Sequence, residues 1–143
     1  TSHGPWVRGT IAFFNNTIVR NNRNASLNFG GNSDLNTYIV INNFIDGGGG
    51  GTRRNNIYTG LCWNQSATYG WSLQTGEFVQ ENMDLLFADA DHVDFHLIAT
   101  SPARGAGLDL APYFPAALFP NYDFRKDIDG KTRTVWDVGA YAY

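Results

Sequence analysis

A repeated pattern of short apolar runs joined by paired asparagines constrains the fold of this chain more than any other sequence feature. The pattern occurs twice, 27 residues apart, as IAFF-NN-TIV at residues 11–19 and YIVI-NN-FID at residues 38–46. A weaker third copy is centred on Asn55 and Asn56. Strands this short cannot each bury a face alone, so successive copies must stack on one another. The repeat therefore predicts a solenoid of short parallel strands.

The asparagine pairs suit the corners between these strands. Asparagine tolerates the left-handed backbone region that a sharp corner needs, and its side-chain amide can bond the same group in the next copy. We therefore predict that the asparagine pairs form an internal ladder at the turns. A binding role for them is the less favoured interpretation.

Composition narrows the class of protein and of partner. The hydrophobic fraction of 43% and the aromatic fraction of 15% are too high for a disordered chain. No stretch approaches the roughly 18 apolar residues of a membrane span. With a net charge of −3 and a pI near 5.4, the chain also lacks the basic surface that nucleic acids attract. We therefore expect neither a nucleic acid nor a membrane as partner.

Beyond the repeat, the chain carries a second group of motifs. They read LFAD at residues 86–89, DFHL at 94–97, SPARGAG at 101–107, DIDGKTR at 127–133 and DVGAY at 137–141. In this order they resemble the closing segment of right-handed parallel β-helix proteins of the pectate-lyase-like superfamily. The chain departs from that pattern at Ala142, where the family usually has glutamate.

The resemblance implies an all-β fold, a right-handed parallel β-helix of about three coils with an irregular, aromatic and proline-rich C-terminal cap. Residues 1–85 would form the coils, and residues 86–143 would form the closing segment and cap of the same domain. The front end, near Ile11, shows no comparable cap. We expect that edge to be covered by further N-terminal coils or by another copy of the chain.

The resemblance also implies a function, because polysaccharide lyases and glycoside hydrolases dominate this superfamily. We expect the C-terminal part of a secreted, carbohydrate-active protein with a polysaccharide as partner. The paired aspartates or Gly-His-Gly motifs of its catalytic coils do not occur in this sequence, so any catalytic residues would lie outside the chain. The alternative is a non-catalytic sugar-binding, adhesin or structural module. No cofactor is evident, and calcium is implied by the resemblance alone.

Two basic residues are the first candidates for substrate binding. Arg53 and Arg54 follow a run of five glycines and stand close in sequence to Asp46. A guanidinium group pairs with a carboxylate through two parallel hydrogen bonds, so these residues could hold an acidic sugar. A solvated loop is the competing interpretation.

Aromatic residues are the second set of candidates. Tyr58, Trp63, Tyr69 and Trp71 lie within one short stretch, and sugar rings stack on exposed aromatic faces. The competing interpretation places them in the core. A metal site at His92 and His96 is disfavoured, because a four-residue spacing shares a face only on a helix and DFHL predicts a strand.

Overall fold

A computed structural model describes residues 9–19, 36–45, 52–59, 72–114, 117 and 120–143. Within these ranges the chain forms short strands and three single-turn 3₁₀ helices, Met83–Leu85, Ala90–His92 and Ala111–Tyr113. The strands are β1 (Gly9–Phe14), β2 (Thr17–Ile18), β3 (Asn36–Ile41), β4 (Phe44–Ile45), β5 (Thr52–Arg54), β6 (Ile57–Tyr58), β7 (Phe78–Val79), β8 (Phe87–Asp89) and β9 (Asp94–Leu97).

Seven of these strands form two parallel sheets, with the orders β1-β3-β5 and β2-β4-β6-β7. The register between β1 and β3 pairs Phe14 with Ile41, which is the 27-residue offset of the sequence repeat. The next offset is shorter, since Ile41 pairs with Arg54. Among the described residues, β1 is an edge strand of the first sheet and β2 is an edge strand of the second. That further coils or another copy cover this edge stays a prediction.

Each corner between the two parallel sheets is made by two asparagines. The first of each pair has a left-handed backbone, with φ of 52° at Asn15, 60° at Asn42 and 53° at Asn55. Among residues with a side chain, asparagine is one of the few that adopts this region at little cost. We call these three residues the outer column. The second asparagines, Asn16, Asn43 and Asn56, are called the inner column.

The inner column forms a hydrogen-bonded ladder. Asn16 donates from its backbone N–H and from Nδ2 to Asn43 Oδ1, both at 2.9 Å. Asn43 donates in the same way to Asn56 Oδ1, at 2.9 and 3.1 Å. Asn56 Nδ2 then donates to Glu77 Oε1 at 2.8 Å. An ionised carboxylate only accepts hydrogen bonds, so Glu77 ends the ladder.

The described residues form two buried apolar clusters, one within the two parallel sheets and a larger one between the second parallel sheet and the segment that follows it. Phe44 and Ile57 are fully buried and pack with Phe87 and Val138. The rings of Phe44 and Phe87 meet edge to face, with their centroids 4.7 Å apart. This contact joins the parallel part of the fold to the antiparallel pair β8–β9.

The predicted fold class, a right-handed parallel β-helix of about three coils, is wrong. The described residues form two short parallel sheets and one antiparallel pair, and they contain no closed solenoid. A three-sided coil needs a third parallel sheet, and the third sheet of the described residues is the antiparallel pair β8–β9, which lies in the predicted closing segment. Only residues 90–93 connect these two strands. A parallel crossover needs a dozen or more residues, so this connection permits only antiparallel pairing.

The C-terminal segment closes over the asparagine corners. Gly139 donates its N–H to the Asn42 carbonyl at 2.8 Å, and Val138 donates to the Ala103 carbonyl at 3.0 Å. Gly139 has a φ of 100°, and a Cβ added there would lie 2.9 Å from Thr17 Oγ1. Only glycine combines this backbone with so close an approach. The end of the chain is therefore held against the corner that follows β3 and against the first residue of β2.

Candidate functional site

The structure places the predicted sugar-binding residues in three different settings. Arg53 and Tyr58 are buried, while Arg54 is exposed. Asp46, Trp63, Tyr69 and Trp71 lie outside the described residues. The predicted residues are therefore not brought together as one site within the described part of the chain.

Arg53 and Tyr58 belong to a buried network around Glu77. The Tyr58 hydroxyl donates to Glu77 Oε1 at 2.7 Å, and Arg53 Nε lies 3.8 Å from Glu77 Oε2. Arg53 also donates from Nη2 to the Ser72 carbonyl at 2.7 Å. Burial, with the adjacent Glu77 carboxylate, raises the pKa of the Tyr58 hydroxyl. Tyr58 thus presents no ring face to a sugar. The network instead holds Glu77, which accepts the last hydrogen bond of the ladder.

The outer column holds the closing segment through its side-chain amides, except at Asn15. Asn42 Nδ2 donates to the Leu108 carbonyl at 2.7 Å, and the Leu108 N–H donates to Asn42 Oδ1 at 2.6 Å. Asn55 Nδ2 donates to the Ala106 carbonyl at 2.8 Å. At Asn15, Oδ1 is buried and has no hydrogen-bond partner among the described residues.

The absence of this partner has a local cause. Just beyond Leu110 the closing segment enters the 3₁₀ helix Ala111–Tyr113, which has a proline in its first turn. The segment whose backbone bonds the other two members of the column, at Ala106 and Leu108, therefore changes direction before it reaches Asn15. Buried polar groups are paired in the great majority of cases, so the unpaired amide oxygen of Asn15 is an exception within the outer column.

A cleft walled by aromatic rings lies beside Asn15 and encloses about 290 Å³. Phe114 stacks on Phe124 with ring centroids 4.7 Å apart. It also packs against Phe14 in an edge-to-face arrangement, with ring centroids 5.2 Å apart. Tyr122 lies 6.2 Å from Phe114 and is 62% exposed. We call this the aromatic cleft. Its lining includes Phe14, Asn15, Phe114, Tyr122, Phe124 and Arg133.

Arg133 contributes a buried guanidinium to the cleft. Its Nη2 donates to the carbonyls of Gly139 and Ala140, each at 2.9 Å, and its Nη1 donates to the Tyr141 carbonyl at 3.2 Å. Burial lowers the pKa of Arg133, and the charges of Asp137 and Asp127 act in the opposite direction. The remaining donor, Nε, is buried without a partner among the described residues.

Asp127 is the acidic residue of the cleft, and its carboxylate is already engaged. Oδ1 accepts the backbone N–H groups of Asp129 and Lys131, at 3.0 and 2.7 Å. Oδ2 accepts the N–H of Ala142 at 2.9 Å. These bonds stabilise the turn at residues 127–131 and join it to the end of the chain. Asp127 is thus a structural group of the cleft wall.

His96 joins β9 to the same turn on the protein surface. Its Nδ1 lies 2.5 Å from Asp94 Oδ1 and its Nε2 lies 2.8 Å from Asp129 Oδ2. The ring also packs against Tyr141, with centroids 4.3 Å apart. Both ring nitrogens face carboxylate oxygens, so both bonds form only with the protonated imidazolium. The hydrogen bond to Asp94, followed by that to Asp129, raises the pKa of His96.

We predict that the contacts of His96 with Asp94 and Asp129 make the free energy of unfolding depend on pH near neutrality. A histidine whose pKa is raised by folding stabilises the fold fully below its unfolded value of about 6.5, and this contribution is lost as pH rises through the folded value. His96 is half exposed, so solvent limits the effect to under about 1 kcal/mol. Urea unfolding at pH 5.5 and 8.0 measures the difference in the free energy of unfolding between the two pH values. His96→Gln should remove the part of this difference that is due to His96.

His92→Gln is the matched control for this prediction. His92 contacts Asp89 within a single turn and is 84% exposed, so its replacement leaves the contact between β9 and the terminal turn in place. The variant should keep most of the wild-type pH dependence. An equal pH dependence in wild type and His96→Gln would contradict the assignment.

The sequence indicated some of these residues but not their role in a site. Phe114, Tyr122 and Phe124 belong to the aromatic tail that was expected to act only as a cap. Asn15 was assigned to a ladder, and Arg133 was noted only as part of the closing motif. The 27-residue spacing from Asn42 shows that the two corners are equivalent, but no signal in the sequence indicates that Asn15 alone lacks a partner.

No protein-family model, curated protein or solved structure matches this chain. The resemblance to the pectate-lyase-like superfamily and the secreted location therefore stay predictions. Across the described ranges, no group of three or more His, Cys, Asp or Glu residues is arranged to hold a metal ion. A role for calcium likewise stays a prediction. None of the helices in those ranges is long and apolar enough to cross a membrane.

Proposed function

We propose that this chain binds a glycan in the aromatic cleft and holds it without cleaving it. The observation that carries the proposal is a cleft walled by aromatic rings, one of them the exposed ring of Tyr122, with polar residues such as Asn15 in its lining. Sugars combine an apolar ring face with a rim of hydroxyl groups, so they suit a site that offers both. The volume of about 290 Å³ is at the small end of ligand sites, which supports the binding of a short stretch of glycan.

The pairing of Asn42 with Leu108 indicates how Asn15 would hold such a ligand. That carboxamide accepts from the N–H and donates to the carbonyl of one extended residue, a donor and an acceptor side by side. Neighbouring substituents on a sugar ring also present a donor and an acceptor side by side. The amide of Asn15 can therefore engage two adjacent sugar substituents while the ring rests on an aromatic face.

Binding is better supported than cleavage at this cleft. Hydrolysis of a glycosidic bond normally uses two carboxyl groups on either side of the bond. Among the residues that line the cleft, Asp127 supplies the carboxyl group, and its oxygens already accept three backbone N–H groups. We still predict that any lyase or hydrolase activity depends on residues outside this chain.

Replacement of Tyr122 by alanine tests the proposal. Its exposed ring provides a stacking face at the cleft, so its loss should weaken glycan binding by about 1 kcal/mol, roughly fivefold in Kd. A glycan array identifies a bound glycan, and calorimetric titration then gives the Kd for each variant. Unfolding midpoints should change little, because the side chain is largely exposed.

Tyr143→Ala is the matched control. Tyr143 is 45% exposed and packs under the guanidinium of Arg104, away from the residues that line the cleft. Its replacement should leave Kd unchanged. Trp63→Ala and Trp71→Ala belong on the same array, because they form the platform predicted from the sequence. Binding that is lost in those variants and retained in Tyr122→Ala would contradict the cleft as the site.

A further inference from the structure

The asparagine ladder has a direction, and its first rung is open. The backbone N–H and Nδ2 of one inner asparagine donate to Oδ1 of the next, from Asn16 to Asn43 and from Asn43 to Asn56. Oδ1 therefore accepts from the preceding rung throughout the ladder. Asn16 belongs to the first described rung, it is only partly buried, and no described residue donates to its Oδ1. A donor placed ahead of the ladder would complete this rung.

The backbone N–H groups that follow the corners have the same direction. Phe44 donates its N–H to the Asn16 carbonyl, and Ile57 donates its N–H to the Asn43 carbonyl, both at 2.9 Å. In each case the residue after an inner asparagine bonds the inner asparagine of the preceding rung. Thr17 is the equivalent residue of the first rung, since it pairs with Phe44 in the register of β2 and β4. Its N–H therefore faces the place of a preceding rung.

A backbone carbonyl completes this edge. Asn15 donates its N–H to the Ile41 carbonyl at 3.3 Å, and the same carbonyl accepts from Asn43 Nδ2 at 3.0 Å. Phe14 is the equivalent of Ile41 in the register of β1 and β3. Its carbonyl accepts from Asn16 Nδ2 at 3.1 Å, so one of its two lone pairs remains for a donor from a preceding rung.

We propose that this edge, formed by Phe14, Asn16 and Thr17 and called the open rung, binds a polypeptide corner made of two short strands joined by paired asparagines. The first asparagine of such a corner donates its N–H to the Phe14 carbonyl. The second donates its N–H and its side-chain amide to Asn16 Oδ1, and its carbonyl accepts from the Thr17 N–H. The flanking strands extend the sheets at β1 and β2, which is strand addition at two edges. This inference goes beyond the glycan-binding function and does not depend on it.

A second copy of this chain, stacked back to front, does not supply such a corner. Its ladder ends at Glu77, whose Oε1 accepts from Asn56 and from Tyr58. The Glu77 side chain is fully buried among the described residues, and an ionised carboxylate only accepts hydrogen bonds. It therefore has no donor for Asn16 Oδ1. The partner of the open rung is a different polypeptide segment, recognised by its asparagines.

The experiment uses a peptide with the sequence of residues 36–45, which carries one asparagine corner of this chain between its two strands. Lysines at both ends keep the peptide soluble. It is titrated into the isotope-labelled full chain, and NMR measures the hydrogen exchange of the Thr17 amide. We expect binding to slow this exchange at least about tenfold, because the added carbonyl accepts the N–H. Thr17 does not line the aromatic cleft, so its amide reports on the open rung and not on a bound glycan.

Two variants of the peptide test whether the asparagine is recognised. Asn43→Asp replaces the amide by a carboxylate that cannot donate to Asn16 Oδ1, so the Kd should rise at least about tenfold. Asn36→Asp adds the same charge at the start of the first strand, away from the corner, and should change the Kd by less than about twofold. The chain itself is unaltered in this comparison, so a failure to fold cannot explain the result.

Three results would overturn the inference. Unchanged exchange at Thr17 at the highest peptide concentration removes the open rung as a binding site. An equal Kd for the two aspartate peptides indicates strand addition without recognition of the asparagine. Association of the chain alone in sedimentation, with slowed exchange at Thr17, identifies a second copy as the partner. None of these results alters the test of glycan binding by Tyr122→Ala.

Discussion

Asn43→Ala is expected to lower the free energy of unfolding by about 3 to 5 kcal/mol, because it breaks the ladder at its centre. Asn43 Oδ1 accepts two bonds from Asn16, and Nδ2 donates to the Phe13 carbonyl at 2.9 Å. Asn43 is fully buried, so water cannot replace these partners. The alanine variant removes the acceptor of the Asn16 backbone N–H and one hydrogen bond to the Phe13 carbonyl, and it opens a small cavity.

Urea unfolding followed by tryptophan fluorescence measures this effect. Asn82→Ala is the matched control, since Asn82 is exposed and its Oδ1 accepts one bond from the Asp84 N–H at 2.9 Å. Loss of that cap should cost about 1 kcal/mol or less. A similar loss of stability in both variants would show that the ladder contributes no more than a surface turn.

Asp137→Ala is the second change with a large expected effect, again about 3 to 5 kcal/mol. The carboxylate is 1% exposed and accepts the N–H of Gly105 at 2.7 Å and that of Tyr143 at 2.9 Å. Its negative charge also compensates the buried positive charge of Arg133. Its removal leaves two N–H groups without an acceptor and deprives the buried guanidinium of Arg133 of its larger compensating charge, with only that of Asp127 remaining.

Two further variants test this explanation of Asp137. Asp123→Ala removes an exposed aspartate that bonds the Arg125 N–H at 3.1 Å, and it should change stability by under about 1 kcal/mol. Arg133→Met in the Asp137→Ala background should restore part of the loss, because it removes the uncompensated buried charge. A double variant less stable than Asp137→Ala alone would mean that the backbone bonds of Arg133 outweigh its charge.

The local conformations of this chain could be predicted from the sequence. A left-handed corner is a property of a few neighbouring residues, so the asparagine pairs indicated where the chain turns, including the weak third copy at Asn55 and Asn56. The strand at Asp94–Leu97 followed from its own alternation in the same way. Neither conclusion required knowledge of a distant segment.

The fold class could not be predicted in this way, because it depends on how strands pair over a distance. The closing motifs resembled those of a β-helix, yet β8 and β9 are joined by too few residues to lie parallel. Motif resemblance therefore conveyed the order of the segments but not their direction. The closed coil was wrong because the described residues form two parallel sheets and not three.

The candidate site was decided by tertiary structure for a related reason. Arg53 and Tyr58 were expected to face a ligand, but Glu77, about twenty residues further along the chain, holds both in the interior. Asn15 was expected to have the same role as Asn42, but the segment that pairs with Asn42 turns away before it reaches Asn15.

The sequence by itself determined the corners, the short strands and the aromatic character of the tail, since these depend on the intrinsic preferences of adjacent residues. Only the tertiary structure decided which amide lost its partner and which rings surround it. Whether a polar group is satisfied depends on segments brought close by folding, and the identity of that group alone does not reveal it.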